Sequence, residues 1–245
     1  MTTLMRKLLV AGLIASLAAP VSAQEYSDPR GFRLKRTPTD HRDAGASAAP
    51  EETLMRTARC VAKDRPEQVR AYLASVPGSP EEAGTFTEIE KKVSRCMPEM
   101  DMSKVGNATR AHGRMTMRLD HSSMRGALAE SMLLEDETEI SPAVLTLGDD
   151  GMFVAEQFHG ARSAENERVF ALGFAGCVMG HNPTAMQGLF VSKPGSADEK
   201  AAIVAMAPSF GQCVMEGHQV KVSASTLRNH LAETVYYAIN SGKAR

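Results

Sequence analysis

The sequence contains no tryptophan, only four tyrosines and eight phenylalanines, and only four cysteines in 245 residues. Alanine, leucine, methionine, glutamate and lysine are abundant instead, and these residues have high helix propensity. The composition therefore favours a helical protein over one built from sheets.

Several catalytic signatures are also missing. There is no G-x-S-x-G, no H-E-x-x-H and no glycine-rich phosphate loop. His181 and His218 each follow a cysteine-containing segment, but a catalytic histidine needs an acid or nucleophile within reach, and no companion pattern accompanies either one. We interpret both as solvated loop residues and assign no catalytic residue, while an unrecognised enzyme remains an alternative.

Residues 1–23 have the pattern of a secretory signal peptide. Arg6 and Lys7 precede an apolar run over residues 8–19, and Val21-Ser22-Ala23 supplies a cleavage site. The run is shorter than the roughly 20 residues that span a bilayer, which favours a cleaved signal over the alternative, an N-terminal membrane anchor. We expect cleavage near Ala23 and a periplasmic or secreted protein.

The chain after residue 23 has no basic excess and no long apolar run. It carries 26 Lys and Arg (28 less Arg6 and Lys7) against 29 Asp and Glu, a net charge of −3. This balance argues against a nucleic-acid-binding protein. The longest later apolar run, over residues 169–179, is too short for a transmembrane helix. We therefore expect a soluble mature chain without a transmembrane segment.

The clearest positive pattern is a repeat. Cys60 and Cys96 are 36 residues apart, as are Cys177 and Cys213, and the two pairs differ by 117 positions (177 − 60 and 213 − 96). Each segment also contains a Pro-Gly-Ser turn at the same offset, at residues 77–79 and 194–196. This self-similarity predicts a duplicated helical unit.

The cysteines are predicted to form one disulfide in each unit. All four follow the signal peptide, and disulfides persist in oxidising compartments. In an up-down-up bundle the first and third helices end on the same side, which would bring Cys60 to Cys96 and Cys177 to Cys213. Free or metal-bound thiols are the alternative, but zinc sites usually need closer spacing such as C-x-x-C.

Helix boundaries follow from proline, serine and apolar spacing. The first unit should contain a helix over about 50–63, a second helix that begins at Pro66, and a third helix whose N-cap is Ser79. In the second unit, helices should start after Ser163, at Pro183 and after Ser196, and Pro208 should kink or interrupt the third.

A fourth helix follows in each unit, with a shared apolar-Arg-x-x-Leu-Ala-Glu pattern. Arg125 and Glu130 in the first copy correspond to Arg228 and Glu233 in the second, 103 positions later. Residues five apart on a helix point in different directions, so each is expected to bond to a neighbouring helix end or to the other unit. This helix and the paired cysteines resemble those of exported bacterial proteins of uncharacterised function with an Arg-Gly-Ala-Leu-Ala-Glu type helix. The resemblance implies no activity.

Methionine and histidine cluster between the third and fourth helices of the first unit, in segment 97–124. In an exported protein, thioether and imidazole groups form a ligand set that suits copper(I). Methionine is also an ordinary core residue, so the copper site is an alternative to a protein without a cofactor. The candidate ligands are Met100, Met102, Met115, Met117, His112 and His121.

The sequence therefore predicts an all-α protein of two tandem four-helix repeats with pseudo-two-fold symmetry and one disulfide per repeat. Its segments are a signal peptide (1–23), a disordered leader (24–49), repeat 1 (50–135), a linker (136–162) and repeat 2 (163–245). The predicted function is a non-enzymatic interaction or structural module with a protein partner in the cell envelope.

Overall fold

The computed structural model describes residues 32–35, 50–97, 116–136, 155, 158, 166–214 and 223–241. In these ranges the fold is helical, as predicted, with one antiparallel pair of short strands. The elements are β1 (Phe32–Lys35), α1 (Pro50–Asp64), α2 (Pro66–Ala74), α3 (Pro80–Cys96), β2 (Thr116–Leu119), α4 (His121–Glu135), α5 (Glu167–His181), α6 (Pro183–Val191), α7 (Ala197–Cys213) and α8 (Ala224–Ser241).

The α3 and α7 helices begin in the same way. Ser79 and Ser196 are the N-caps, and each side chain accepts a hydrogen bond from the backbone N–H three residues later, at 3.2 Å in both cases. The preceding residues, Gly78 and Gly195, have φ angles of 81° and 76°, which glycine adopts without steric cost. The Pro-Gly-Ser turns therefore set the start of both helices.

Helices α1 to α3 and α5 to α7 have matching lengths and spacing. Each of the later three begins 117 residues after its match (167 − 50, 183 − 66 and 197 − 80), and α8 begins 103 residues after α4 (224 − 121). We call two residues counterparts when they are separated by 117 in these three-helix sets, or by 103 in α4 and α8. No helix in the described ranges is both long and apolar enough to cross a membrane.

The two predicted disulfides are present. Cys60 is bonded to Cys96, and Cys177 to Cys213. On the helices that carry Cys96 and Cys213, α3 buries Phe86, Ile89 and Val93, and α7 buries Met206.

Three details differ from the sequence-based expectations. The leader predicted to be disordered contributes β1, which pairs with β2 in the segment that precedes α4. Helix α5 begins at Glu167, and its cap is Asn166, whose side chain accepts from the Val169 N–H; Ser163 lies outside the described residues. Helix α7 continues through Pro208, which is exposed, so the proline does not interrupt it, and a kink there stays a prediction.

Candidate functional site

The centre of the molecule is the crossing of α4 and α8, the most extensive interhelical contact. Gly126 on α4 packs directly on its counterpart Asn229 on α8. A Cβ atom on Gly126 would lie 2.4 Å from both Cα and Cβ of Asn229, closer than non-bonded carbons can approach. Glycine at this position therefore lets the two backbones approach closely.

We expect Gly126→Ala to lower the free energy of unfolding by about 1–3 kcal/mol, because the added methyl group forces the two helices apart. Gly84→Ala is the matched control, since a Cβ atom there meets nothing within 4 Å; it should stabilise α3 by about 0.5–1 kcal/mol. Urea unfolding followed by circular dichroism measures both changes. Equal effects of the two substitutions would contradict the close approach.

Two buried arginine and glutamate pairs join α4 to α8. The Arg125 Nε donates to Glu233 at 2.6 Å. In the counterpart pair, Arg228 donates to both carboxylate oxygens of Glu130, at 2.8 and 2.7 Å. All four side chains are less than 5% exposed. The arginine of each helix thus binds the glutamate of the other.

Each arginine also binds a second carboxylate at the start of a third helix. Arg125 donates to Glu82 on α3 at 3.3 Å, and Arg228 donates to the counterpart Glu199 on α7 at 3.0 Å. The other oxygen of Glu82 accepts from the Gly78 N–H, and that of Glu199 from the Gly195 N–H. The central pairs are therefore connected to both Pro-Gly-Ser turns.

The remaining arginine donors bind the ends of α2 and α6. Arg125 donates to the carbonyls of Tyr72, Leu73 and Ser75, at 2.8, 2.7 and 3.1 Å, and also to Tyr237 Oη. Arg228 donates to the hydroxyl and the carbonyl of Ser192. A guanidinium has five N–H donors, and in both arginines they are occupied. These groups hold helices together, and neither arginine has a donor left for a ligand.

Arg168 adds a third pair on one side only. Its two terminal nitrogens bind both oxygens of Glu82 at 2.7 Å each, the bidentate geometry that guanidinium and carboxylate favour. Its counterpart on α1 (168 − 117) is Glu51. Glu82 therefore binds two arginines, whereas Glu199 binds one.

The arginines control the ionisation of Glu82. Burial alone would raise the pKa of this carboxyl group, but the hydrogen bonds and charge of Arg168, together with the charge of Arg125, lower it below its ordinary value of 4.5. For Arg125, burial would lower the pKa, and the charges of Glu233 and Glu82 raise it well above the usual value. Glu82 and Arg125 are therefore both charged at neutral pH.

Stability should fall when the solution becomes acidic enough to protonate Glu82. A carboxyl group with a lower pKa in the folded state contributes stability above its unfolded pKa, here 4.5. That contribution is lost as the pH falls through the folded-state value. We expect Arg168→Met to move the acid-unfolding midpoint to higher pH, as measured by circular dichroism. Glu81→Gln, at an exposed position, should leave it unchanged. An unchanged midpoint in Arg168→Met would contradict this assignment.

The candidate copper ligands are mostly outside the described residues. This holds for Met100, Met102, Met115 and His112, and Met117 is described only as part of the β2 backbone. His121 is buried, with its Nδ1 2.9 Å from Tyr72 Oη and its ring against Phe86. The structure thus explains His121 as a core residue, and the copper site stays a prediction.

One described histidine lies beside a disulfide. A ring nitrogen of His181 and the sulfurs of Cys177 and Cys213 are within 4.8 Å of one another. Both sulfurs are in the disulfide bond, so neither is a thiolate that could bind a metal ion. His181 is exposed, as expected, but it is the last residue of α5 and does not lie in a loop, while His218 lies outside the described residues.

Sequence reasoning found Arg125, Glu130, Arg228 and Glu233 but not their other partners. Glu82 and Glu199 were recognisable only as acidic residues in the first turn of a helix, and Arg168 had no distinguishing pattern. The signal that could have marked the two glutamates is their position three residues after Ser79 and Ser196, a capping-box pattern. A search of known protein families, curated proteins and solved structures found no match to this chain.

Proposed function

We propose that the mature protein is an exported, non-enzymatic interaction module with a protein partner in the cell envelope. In this proposal, residues 50–135 and 163–245 are tandem four-helix repeats related by a pseudo-two-fold axis that passes through the α4 and α8 crossing. Signal cleavage near Ala23 releases the chain into the periplasm or the medium.

The observation that carries the proposal is the exchange of partners between α4 and α8. A two-fold operation makes an interface self-complementary, so that if one residue contacts a second, the symmetry mates make the same contact. Arg125 with Glu233 and Arg228 with Glu130 meet that condition. The equal helix lengths and the 117-residue spacing support the same relation.

A rigid scaffold is the role that these contacts support. Five buried arginine and glutamate contacts link α3, α4, α5, α7 and α8, and each disulfide fixes one three-helix set. A preorganised surface loses less conformational entropy when it binds a partner. Stacked helical units commonly present such a surface between copies.

Two measurements test the proposal. N-terminal sequencing of protein from the envelope fraction should give a sequence that begins near Gln24. Protein with an intact Met1 in the cytoplasm would contradict export.

Tagged mature protein, crosslinked in its native envelope, should capture a partner that rebinds the purified oxidised protein. Reduced and alkylated protein is the control and should bind less, because its scaffold is no longer fixed. If the oxidised protein retains no partner, the interaction role is wrong.

A further inference from the structure

A cavity of about 170 Å³ lies where the N-terminus of α1 meets α4, α7 and α8. Its lining includes Glu51, Asp120, Glu199, Arg228 and Asn229. A single water needs only about 10–15 Å³ of such space, so the cavity has room for a larger polar group.

The cavity lies at the position that Arg168 fills on the other side of the molecule. Arg168 is on the first turn of α5 and binds both oxygens of Glu82. The counterpart of Glu82 is Glu199, and the counterpart of Arg168 is Glu51, and both line the cavity. Glu82 thus binds a second guanidinium, whereas among the described residues its counterpart Glu199 binds only that of Arg228 and borders the cavity.

Two polar side chains of the lining have no partner among the described residues. Asn229 is only 6% exposed, and its amide makes no hydrogen bond to another described residue and borders the cavity. Glu51 is half-buried and has no hydrogen bond or ion pair with any described residue. Both can therefore accept hydrogen bonds from a ligand.

The charge of the lining favours a cation. Asp120 accepts from the N–H and the hydroxyl of Ser123. With Glu51 and Glu199, it supplies three carboxylates against the single guanidinium of Arg228. Lys193, at the edge of this region, lies 3.7 Å from Glu52 and is 69% exposed. No described cation other than Arg228 contributes to the lining.

We propose that this cavity binds the guanidinium group of an arginine side chain presented by the partner protein. This inference rests on the proposed function, because it names the chemistry of that partner. A guanidinium offers planar paired donors to a carboxylate, as Arg168 does to Glu82, whereas an ammonium group is a compact point charge. Glu199 and Glu51 would accept from its N–H groups, and the Asn229 carbonyl oxygen would accept a further one.

The direct test is calorimetric titration of the mature protein with Nα-acetylarginine amide. We expect one binding site, and no binding of the citrulline analogue, which has the same shape without the charge. Glu51→Gln should weaken binding about tenfold, since it removes a charge-assisted hydrogen bond. Glu81→Gln removes a carboxylate from the first turn of α3 outside the cavity and should have no effect. Equal binding of the arginine and citrulline compounds, or no loss in Glu51→Gln, would overturn the assignment.

A second variant supplies the missing guanidinium within the chain. Glu51→Arg should pair with Glu199 as Arg168 pairs with Glu82, raise the melting temperature and abolish binding of the arginine compound. Undiminished binding by this variant would also overturn the assignment, and Glu51→Gln remains decisive if Glu51→Arg does not fold.

Partner capture separates this inference from the function on which it rests. If a partner is captured equally by the wild type and Glu51→Arg, the interaction role stands and the cavity assignment fails. If the arginine compound binds but no protein is captured, the cavity takes a free guanidinium compound and the partner proposal fails. The two proposals hold together only if capture is lost in Glu51→Arg and is competed by Nα-acetylarginine amide.

Discussion

Replacing Arg125 with methionine is expected to lower the free energy of unfolding by about 3–5 kcal/mol, the usual effect of removing one member of a buried ion pair. The side chain is completely buried, and its loss leaves Glu233 without its guanidinium partner. It also removes one donor from each of three backbone carbonyls at the end of α2. Urea unfolding followed by circular dichroism suits this tryptophan-free chain.

Substitutions of two other arginines serve as comparisons for Arg125→Met. Arg228→Met should lower the free energy of unfolding less than Arg125→Met does, because Arg228 binds a single backbone carbonyl, that of Ser192. Arg70→Met should change stability by less than about 0.5 kcal/mol, because Arg70 and its partner Glu67 are 42% and 79% exposed. If Arg125→Met had as little effect as Arg70→Met, the network would not be stabilising the fold.

A double-mutant cycle isolates the link between α4 and α8. Arg125→Met combined with Glu233→Gln should destabilise less than the sum of the two single changes, with a coupling of about 0.5–3 kcal/mol. The reason is that a neutral glutamine no longer leaves an unpaired buried charge. Additive effects would show that the two side chains contribute independently.

Removing one disulfide is expected to lower the free energy of unfolding by about 4 kcal/mol, which is the chain-entropy value for a loop closed by cysteines 36 positions apart. Both disulfides join residues 36 positions apart, so the effect on the unfolded chain should be nearly equal for Cys60→Ala/Cys96→Ala and Cys177→Ala/Cys213→Ala. The free energy of unfolding should fall slightly more in Cys177→Ala/Cys213→Ala. Both of these cysteines are buried in the core, and removing their sulfur atoms leaves unfilled space.

Non-reducing peptide mapping of the wild type comes first in that experiment. It should recover the peptides of Cys60 and Cys96 joined to each other, and those of Cys177 and Cys213 likewise. A double variant that unfolds at the same urea concentration as the wild type would contradict the predicted stabilisation.

Local sequence signals were sufficient for most helix boundaries. Ser79 and Ser196 act as caps, and Pro66 and Pro183 open their helices as expected. Capping and proline effects operate within one helical turn, so they can be read from neighbouring residues. The cap of α5 is Asn166, which was not predicted from the sequence and which lies closer to the apolar run of that helix than position 163 does.

The sequence could exclude a direct bond between Arg125 and Glu130 but could not choose among their other partners. Five residues of helix separate the two side chains by about 140°, which is a local fact. The choice of Glu233, 108 positions away, depends on how α4 crosses α8. That crossing in turn depends on the close packing of Gly126 against Asn229.

By itself, the sequence determined the helical class, the caps and the spacing of the two cysteine pairs, because each follows from residues near one another in the chain or from a repeated interval. Only the tertiary structure decided that the arginines exchange glutamates, that Arg168 neutralises Glu82, and that Glu51 leaves a cavity beside Glu199. Those outcomes depend on which buried charges meet across helices, and burial makes each unpaired charge so costly that the final packing selects the partners.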